Sequence, residues 1–421
     1  MCHKTGVHRK AEIFGRRPSS LYAVLFMLFM LAFASGILLS ARSHSVQAAP
    51  GKTGYEKEFI IRIINPEKRV LEKHPVVVGF EGIHKIAPDF NPAKFAVIPE
   101  MDESPEPIPA QVDDLDSDGK PDELVFLANL SGSPALQFRC RYSPQGSELP
   151  NFPEKTYARL AWETQNANIG WESNLAAYRF YWGQMEAFGK LNQNLIMHLF
   201  NANYTYHDTQ EWGMDVLHVG NASGLGGISL WEGETRISAV NPAGKGENKY
   251  ERKVVAAGPV RAVARVDISN IKPAKNTFAI TLLMSVFADN RFSRQDIIIN
   301  SNEAGNIIYS PGVQKLAKET WKMDKDKGFL ATWGEGAPGA GEVGLGLMFV
   351  PGEYAGFSES DIDRYIKLQI PAGKKRTHWI LGGWHQGVTA PKPPAAENWA
   401  VMVQELGEKL RTPLQVVLAS K

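Results

Sequence analysis

Side chains that transfer protons are concentrated in residues 204–220, which read YTYHDTQEWGMDVLHVG. Two histidines, two tyrosines and three acids fall within this stretch, and enzymes use these groups as general acids and bases. His207 or Tyr206 would act as the base or the acid. Asp215 or Glu211 would orient the histidine, as a second group commonly does for a catalytic base. If the protein has an active site, the sequence predicts it here.

A zinc site that uses His207 and His218 is a weaker alternative in the same segment. His207, Glu211 and Asp215 are spaced by four residues, which would place them on one face of a helix. The aromatic residues and Gly213 favour strand and loop instead, so the histidine and acids lack the helical support that such a ligand set needs. The second histidine, His218, lies between two aliphatic residues and is expected to be buried in the core.

A second stretch, residues 171–183, offers groups suited to a sugar ligand. Arg179 can hold a carboxylate with two parallel hydrogen bonds, and tryptophan presents a broad apolar face on which a sugar ring can stack. The alternative is a core strand in which Arg179 pairs with an acid and the tryptophans are buried. The predicted substrate-binding residues from both stretches and from one later segment are Trp171, Glu172, Asn174, Glu211, Trp212 and His385.

The later segment is residues 377–386, which read THWILGGWHQ. His385 follows two glycines and a tryptophan, so it would complete a site with His207. The same residues would equally form the end of a strand packed with aromatic side chains. His378 is expected to serve packing.

The combination of these groups suits the chemistry of uronic acids. A uronic acid has a C5 proton that the adjacent carboxylate makes acidic. Removing it needs a base and a cation or hydrogen-bond donors that stabilise the developing negative charge. His207 or Tyr206 would take or give the proton, Asp215 would orient the histidine, and Arg179 would neutralise the substrate carboxylate.

A separate acidic turn predicts a cation site. Asp114, Asp116, Asp118 and Asp122 follow the pattern D-x-D-x-D-G-x-x-D, and Ca²⁺ prefers several carboxylate oxygens around such a glycine bend. The complete calcium-binding loop of EF-hands is absent, because the twelfth position holds Val125. The alternative is a solvated turn, since aspartate and glycine are good turn formers. We expect that the chemistry requires no cofactor and that any bound Ca²⁺ is structural.

The first 49 residues have the features of a Sec-type signal peptide. Five basic residues precede an uncharged apolar run at residues 21–39, and a small-residue cleavage pattern ends at Ala49. A retained membrane anchor is the alternative, because the run is nearly long enough to span a bilayer. With cleavage, we expect no stable membrane insertion and a periplasmic or secreted protein.

Charge and cysteine content narrow the function classes. The whole chain has 46 Lys+Arg and 45 Asp+Glu, and without residues 1–49, which carry six basic residues and one acid, the balance is 40 against 44. This excludes a broadly basic surface of the kind that binds nucleic acid. Cys140 remains as a single thiol, and its alternating apolar context predicts a buried structural position.

The pattern of the remaining chain predicts an all-β protein. Short β-rich runs at residues 58–64, 75–80, 123–127 and 136–142 are separated by turn residues, without the alternating helices of parallel α/β folds. We expect an N-terminal β-sandwich at residues 50–150 and a large antiparallel sandwich at residues 151–421. One helix is predicted at residues 395–410, because its apolar residues share one face and Pro413 follows.

Taken together, several motifs resemble domain-of-unknown-function family 4861. They cover nearly all of the chain after the leader, namely residues 114–124, 171–174 with 177–179, 206–207 with 213–215 and 219–220, 224–227, 258–261 and 344–346. The resemblance implies an exported bacterial protein associated with the breakdown of uronate-containing glycans. It also implies a super-sandwich similar to galactose-mutarotase-like domains.

Three hypotheses about function follow. The first is an exported enzyme that acts on acidic glycans or their oligosaccharides by lyase-type or related acid–base chemistry. The second is a non-catalytic module that binds glycans through its tryptophans and arginine. The third is a mutarotase-like sugar epimerase, which also needs only an acid and a base. Fold class alone does not choose among them.

Overall fold

The structure is a computed structural model that describes residues 54–100, 106–160, 168–201, 205–272, 275–303, 305–392 and 395–421. The predicted signal peptide at residues 1–49 lies outside this part of the chain. Within the described residues, neither of the two helices is long and apolar enough to cross a membrane.

The all-β prediction is confirmed, since the described residues form antiparallel sheets with two α-helices. Two small sheets lie near the N-terminus. One has four strands in the order β25 (Gln415–Ser420), β1 (Lys57–Ile64), β6 (Ala135–Tyr142) and β3 (Phe95–Pro99). The other has three, β2 (Val70–Gly79), β5 (Glu123–Ser131) and β4 (Ala110–Asp113), and helix α1 (Phe80–Ile86) follows β2.

Three larger sheets form the rest of the molecule. The first, here called the site sheet, has the order β11 (Gly213–Asp215), β10 (Gln184–Lys190), β9 (Ala177–Tyr181), β8 (Asn168–Ser173) and β7 (Thr156–Leu160). The second has the order β13 (Thr235–Ser238), β12 (Leu225–Glu232), β18 (Asn306–Gln314), β23 (Asp363–Pro371) and β22 (Tyr354–Glu359).

The third sheet has eight strands. Their order is β14 (Lys249–Ala256), β15 (Arg261–Ser269), β16 (Phe278–Phe287), β17 (Phe292–Ser301), β24 (Arg376–Trp384), β21 (Glu342–Met348), β20 (Phe329–Glu335) and β19 (Ala317–Asp324). Short 3₁₀ turns are at Met197–Leu199, Pro242–Gly244 and Pro351–Glu353.

Period-two alternation explains why these segments form strands with one buried face. In β15, Val266 and Ile268 are 0% and 2% exposed, whereas the alternate residues Arg265 and Asp267 face outward and form an ion pair of 2.7 Å. Successive side chains of a strand point to opposite faces, so this alternation buries one face and leaves the other to solvent. The three larger sheets pack their apolar faces into one shared core.

A separate core fills the N-terminal sheets, and Cys140 lies inside it, fully buried as predicted. Burial raises the pKa of the Cys140 thiol. The division of the chain at residue 150 stays a prediction, and the C-terminal strand β25 returns to pair with β1.

A buried arginine joins the N-terminal strands to the eight-stranded sheet. Arg261 at the start of β15 donates hydrogen bonds to Asp113 of β4 and Glu123 of β5, both at 2.7 Å. Gln111 accepts the backbone N–H groups of Val260 and Arg261 at 3.0 and 2.9 Å. A buried cation needs such partners, because removal from water costs several kcal/mol per ion.

The predicted C-terminal helix is confirmed as α2, Ala395–Leu410, with Trp399 and Val403 buried. Trp399 packs against the eight-stranded sheet at Gly344 and Gly383, where an added Cβ would lie 2.4 and 2.5 Å from the indole. These two glycines therefore allow the close approach of helix and sheet.

Candidate functional site

One face of the site sheet carries most of the residues that the sequence predicted for chemistry. Along β10, Met185 and Ala187 belong to the large core, whereas Glu186, Phe188 and Lys190 point to the opposite face. The same alternation in β8, β9 and β11 brings Glu172, Arg179 and Asp215 to that opposite face. This is the outer face of the site sheet.

The outer face is nevertheless buried, because the following chain folds over it. Residues 191–201 and 205–212, here called the covering loop, contribute Ile196, Met197, Phe200, Tyr206 and Trp212 to a small aromatic core with Ala177 and Phe188 of the sheet. Phe200 lies 5.3 Å from Tyr206 and 5.5 Å from Trp212 between ring centroids. The charged residues beneath the covering loop must therefore find partners without water.

Arg179 pairs with Glu186, which faces it across the β9–β10 hairpin. Its guanidinium also donates a hydrogen bond to the hydroxyl of Tyr206 at 2.5 Å, and it lies 4.9 Å from the ring centroid of Tyr181 and 5.0 Å from that of Tyr206. The side chain is 4% exposed. Its charge is therefore directed to Glu186 and Tyr206, whereas the sequence predicted a direct contact with a substrate carboxylate.

His207 and Asp215 form a pair at the edge of this cluster. His207 Nδ1 lies 3.5 Å from Asp215 Oδ2, and the histidine side chain is 69% exposed while that of the aspartate is 3% exposed. The Asp215 carboxylate also accepts the backbone N–H of Leu217 at 3.2 Å, which holds its orientation. The hydrogen bond to Asp215 raises the pKa of His207, because it stabilises the imidazolium form. The second nitrogen, Nε2, is part of an exposed ring.

Glu186 is a member of the site that the sequence reasoning missed. Burial raises its pKa, the charge of Arg179 opposes this effect, and the nearby charge of Asp215 adds to it. Two carboxylates therefore share their surroundings with one guanidinium and one imidazole. The signal was available, because the two-residue turn Trp182-Gly183 between the strands sets Glu186 opposite Arg179.

A cleft of about 870 Å³ opens beside the covering loop, and we call it the amide cleft. Three predicted substrate-binding residues, Asn174, Glu211 and Trp212, line it. The remaining lining residues are Glu154, Lys155, Asn192, Gln193, Asn194, Leu195, Ile196, His198, Leu199 and Gln210. Trp212 is 4% exposed, so little of its side chain is open to the cleft.

Glu172 does not reach this cleft as a ligand-binding residue. Its side chain and that of Lys190 are both 0% exposed, and they form an ion pair of 2.9 Å. The Glu172 carboxylate also accepts the backbone N–H groups of Ile196 and Met197 at 2.8 and 2.7 Å. Burial, opposed by Glu172, lowers the pKa of Lys190. Glu172 therefore anchors the covering loop from below.

Trp171 is part of the large core and not of a ligand surface. It is 0% exposed, stacks on Tyr178 at 5.9 Å between centroids, and donates from Nε1 to Ser293 at 2.8 Å. The reason is its position in β8, since Trp171 points to the core face and Glu172 to the outer face. The prediction that Trp171 stacks on a sugar does not fit this placement.

The other histidines singled out in the sequence, His385, His378 and His218, make contacts that do not involve the His207–Asp215 pair. His385 is exposed after β24, and its Nδ1 lies 3.1 Å from the carbonyl of Glu342. His378 is fully buried, lies 3.2 Å from the hydroxyl of Tyr309, and has its pKa lowered to about 3 by burial, which confirms its packing role. The expectation of a buried His218 is wrong, because the chain after β11 buries the residues on either side and turns His218 outward.

The acidic turn brings three of its four aspartates together. Asp114, Asp116 and Asp122 each offer a carboxylate oxygen, and these oxygens lie within 4.8 Å of one another. Asp118 is not in that group and pairs with Lys120 at 3.4 Å. Backbone N–H groups also bind the carboxylates, for example Ser117 to Asp114 at 2.6 Å. Both the calcium site and the solvated turn fit this geometry, so calcium stays a prediction.

The fold and the site together define an all-β, antiparallel sandwich protein with a charged cluster under a loop. The chain belongs to the family described as "Domain of unknown function (DUF4861)", whose model matches residues 63–416. The family resemblance seen in the sequence is thereby confirmed. An uncharacterized protein from Formosa agariphila is 23% identical over 335 residues, which covers 73% of this chain and 80% of that protein.

Two solved structures are similar at low sequence identity. An alpha-mannosidase from Enterococcus faecalis has a TM-score of 0.45 and 9% identity, over 87% of this chain and 46% of that one. A protein in glycosyl hydrolase family 38 from Enterococcus faecalis has a TM-score of 0.37 and 10% identity, over 87% of this chain and 48% of that one. The chain therefore spans less than half the length of either solved structure.

Because Glu172 anchors the covering loop, we expect Glu172→Gln to destabilise the folded protein strongly. The substitution leaves the Lys190 charge buried without its counter-ion, so we expect the free energy of unfolding to fall by about 3–5 kcal/mol. Urea denaturation followed by tryptophan fluorescence measures this. Glu81→Gln is the control, because Glu81 forms an exposed ion pair with Lys85 at 2.7 Å, and such pairs contribute about 0–1 kcal/mol. Equal effects of the two variants would contradict the anchoring role.

Calcium binding at the acidic turn predicts a stabilisation that depends on Asp116. At a Ca²⁺ concentration of about 100 times the dissociation constant, the gain is about 2.7 kcal/mol, visible as a rise of the melting temperature over that in EDTA. Asp116→Asn should remove the rise. Asp326→Asn, in an exposed turn elsewhere, should keep it. A wild-type melting temperature that is the same in Ca²⁺ and EDTA would leave the turn as a solvated turn.

Proposed function

We propose that the protein acts on glycans that contain uronic acids, or on their oligosaccharides, by acid–base chemistry at His207, with Asp215 and Tyr206 as positioning residues. The observation that carries this proposal is the pairing of exposed His207 with buried Asp215, next to a tyrosine hydroxyl that Arg179 contacts. A base, an acid that orients it and a tyrosine that packs against its ring are thus present in one cluster.

The proposed reaction is a β-elimination. His207 Nε2 takes the C5 proton of the uronic acid, the bond between C4 and the glycosidic oxygen breaks, and a C4–C5 double bond forms. The His207 imidazolium then gives this proton to the departing oxygen. Tyr206 is 5% exposed and its hydroxyl accepts a hydrogen bond from the buried Arg179 guanidinium, so it supports the histidine without contacting the substrate. The balance closes without a cofactor, because one proton is removed and one is supplied.

Arg179 enters this scheme as a positioning residue. Its guanidinium donates a hydrogen bond to the Tyr206 hydroxyl, and the Tyr206 ring lies 4.6 Å from that of His207 between centroids, so Arg179 would act by fixing the tyrosine beside the base. Glu186 in turn holds the guanidinium in place. The direct contact between Arg179 and a substrate carboxylate that the sequence predicted is therefore not part of the proposal.

The binding-module and epimerase hypotheses differ in how well they fit the structure. A binding module would present a row of exposed aromatic rings, but Trp171 and Trp212 are 0% and 4% exposed. An epimerase would use the same acid and base without breaking a glycosidic bond, so product analysis separates it from a lyase. We also propose that the chain is exported to the periplasm or the medium, from the signal-peptide features of residues 1–49.

Loss of the base predicts loss of turnover. The protein is incubated with uronate-containing polysaccharides and their oligosaccharides, and the ultraviolet absorbance of the conjugated unsaturated uronate is followed with product masses. We expect His207→Ala to slow the reaction by about 10²–10⁴-fold, the usual contribution of general acid–base catalysis. His218→Ala is the matched control, an exposed histidine of the same segment, and should keep full activity. Full activity of His207→Ala would remove His207 from the mechanism.

The His207–Asp215 pair predicts a specific change in the pH profile. Asp215 raises the pKa of His207, so the neutral base form appears only above that raised value, and activity should rise with pH through it. Asp215→Asn removes the charge that favours the imidazolium. We therefore expect the rising limb of kcat/KM to move to lower pH in this variant. A limb that does not move, or moves to higher pH, would contradict the assignment of His207 as the base.

A further inference from the structure

We propose that the amide cleft binds an uncharged saccharide unit, which rests on the proposed function in taking a glycan as the ligand. The whole ligand would then be a mixed glycan, with a neutral sugar in the cleft and a uronic acid at His207. Four observations support this proposal: the polar lining, its charge balance, its apolar rim and the anchoring of the covering loop.

The lining matches sugar hydroxyls in hydrogen-bonding capacity. Each primary amide offers one acceptor oxygen and two N–H donors, and each hydroxyl is both a donor and an acceptor. Four amide side chains that are not buried line this cleft, namely Asn192, Gln193, Asn194 and Gln210, whereas the amide of Asn174 bonds to Asp289 at 2.9 and 2.8 Å. Two of their internal hydrogen bonds are long, at 3.3 Å from Asn192 to the carbonyl of Glu211 and 3.2 Å from Gln210 to that of Asp208. Such bonds are readily exchanged for bonds to a ligand.

The charges of the lining favour a neutral ligand over an anionic one. Lys155 contacts both carboxylate oxygens of Asp289 at 2.9 Å, so its charge is already matched. The acids of the lining, Glu154 and Glu211, are exposed, and a uronate placed beside them would be repelled. Among the described lining residues, Lys155 is the only lysine or arginine.

The amide cleft also has an apolar rim that suits the apolar face of a sugar ring. Leu195 and Leu199 line the cleft, and Leu199 is 40% exposed. A sugar ring has an apolar C–H face as well as its hydroxyls, so one side of the ring can cover the leucines while its edge meets the amides.

The covering loop that carries these amides is held rigidly from below. Glu172 accepts the N–H groups of Ile196 and Met197, and Arg159 donates to the carbonyls of Met197 and Phe200 at 3.0 and 2.6 Å. Leu191 donates its N–H to the carbonyl of Trp212 at 2.7 Å. A binding surface that is fixed before the ligand arrives loses less entropy on binding.

The test uses isothermal titration calorimetry with neutral oligosaccharides of hexoses, pentoses and 6-deoxyhexoses, and with uronic acid oligosaccharides of the same length. It is done in the His207→Ala protein, so that the ligand survives whatever the activity. We expect a neutral oligosaccharide to bind. The added substitutions Gln193→Ala and Gln210→Ala should weaken binding about tenfold, since each lost hydrogen bond contributes about 0.5–1.5 kcal/mol.

The control is Gln145→Ala, an exposed amide in the turn after β6, which should leave the affinity unchanged. The proposal is overturned if no neutral oligosaccharide binds at millimolar concentration, or if the two cleft substitutions leave its affinity unchanged. Failure of the proposed function looks different. In that case a neutral oligosaccharide binds and responds to the cleft substitutions, while the wild-type protein turns over no uronate substrate.

Discussion

The buried ion pair between Glu172 and Lys190 is the interaction on which the rest of the site depends. Neither side chain contacts water, and each charge is compensated mainly by the other. A carboxylate has more acceptor positions than one ammonium can use, and Glu172 directs the remaining ones to the backbone of Ile196 and Met197. The same pair therefore joins β8 to β10 and fixes the loop that forms one wall of the amide cleft.

The second buried pair, Arg179–Glu186, follows from the same constraint. An antiparallel sheet usually shows one face to water, and its charged residues are solvated there. Here the covering loop closes over that face, so charges that belong to the outer side of the site sheet have to be neutralised within the protein. The arrangement leaves Tyr206 hydrogen-bonded to a cation and Asp215 beside His207. The reactive groups of the site are thus a consequence of covering a charged face.

The sequence carried enough local information for the strands but not for the covering loop. Alternation and turn residues predicted the all-β class and the burial of Cys140, and apolar residues on one helical face predicted α2, because each depends on neighbours within one element. Trp171 and His218 were misplaced for a different reason. Their burial depends on which face of a strand or loop another segment covers, and a single sequence does not reveal that. Glu186 could have been predicted as the partner of Arg179, because a two-residue turn fixes which residues face each other across a hairpin.

The turn at Trp182-Gly183 has a consequence for how the site assembles. It separates Arg179 from Glu186 by seven residues, whereas the hydrogen bond between Trp171 and Ser293 spans 122. Closing a short hairpin loses little chain entropy, and contacts that are local in sequence form faster than distant ones. The pairing of Arg179 with Glu186 is therefore specified by the register of one hairpin and does not depend on the long-range strand order of the eight-stranded sheet.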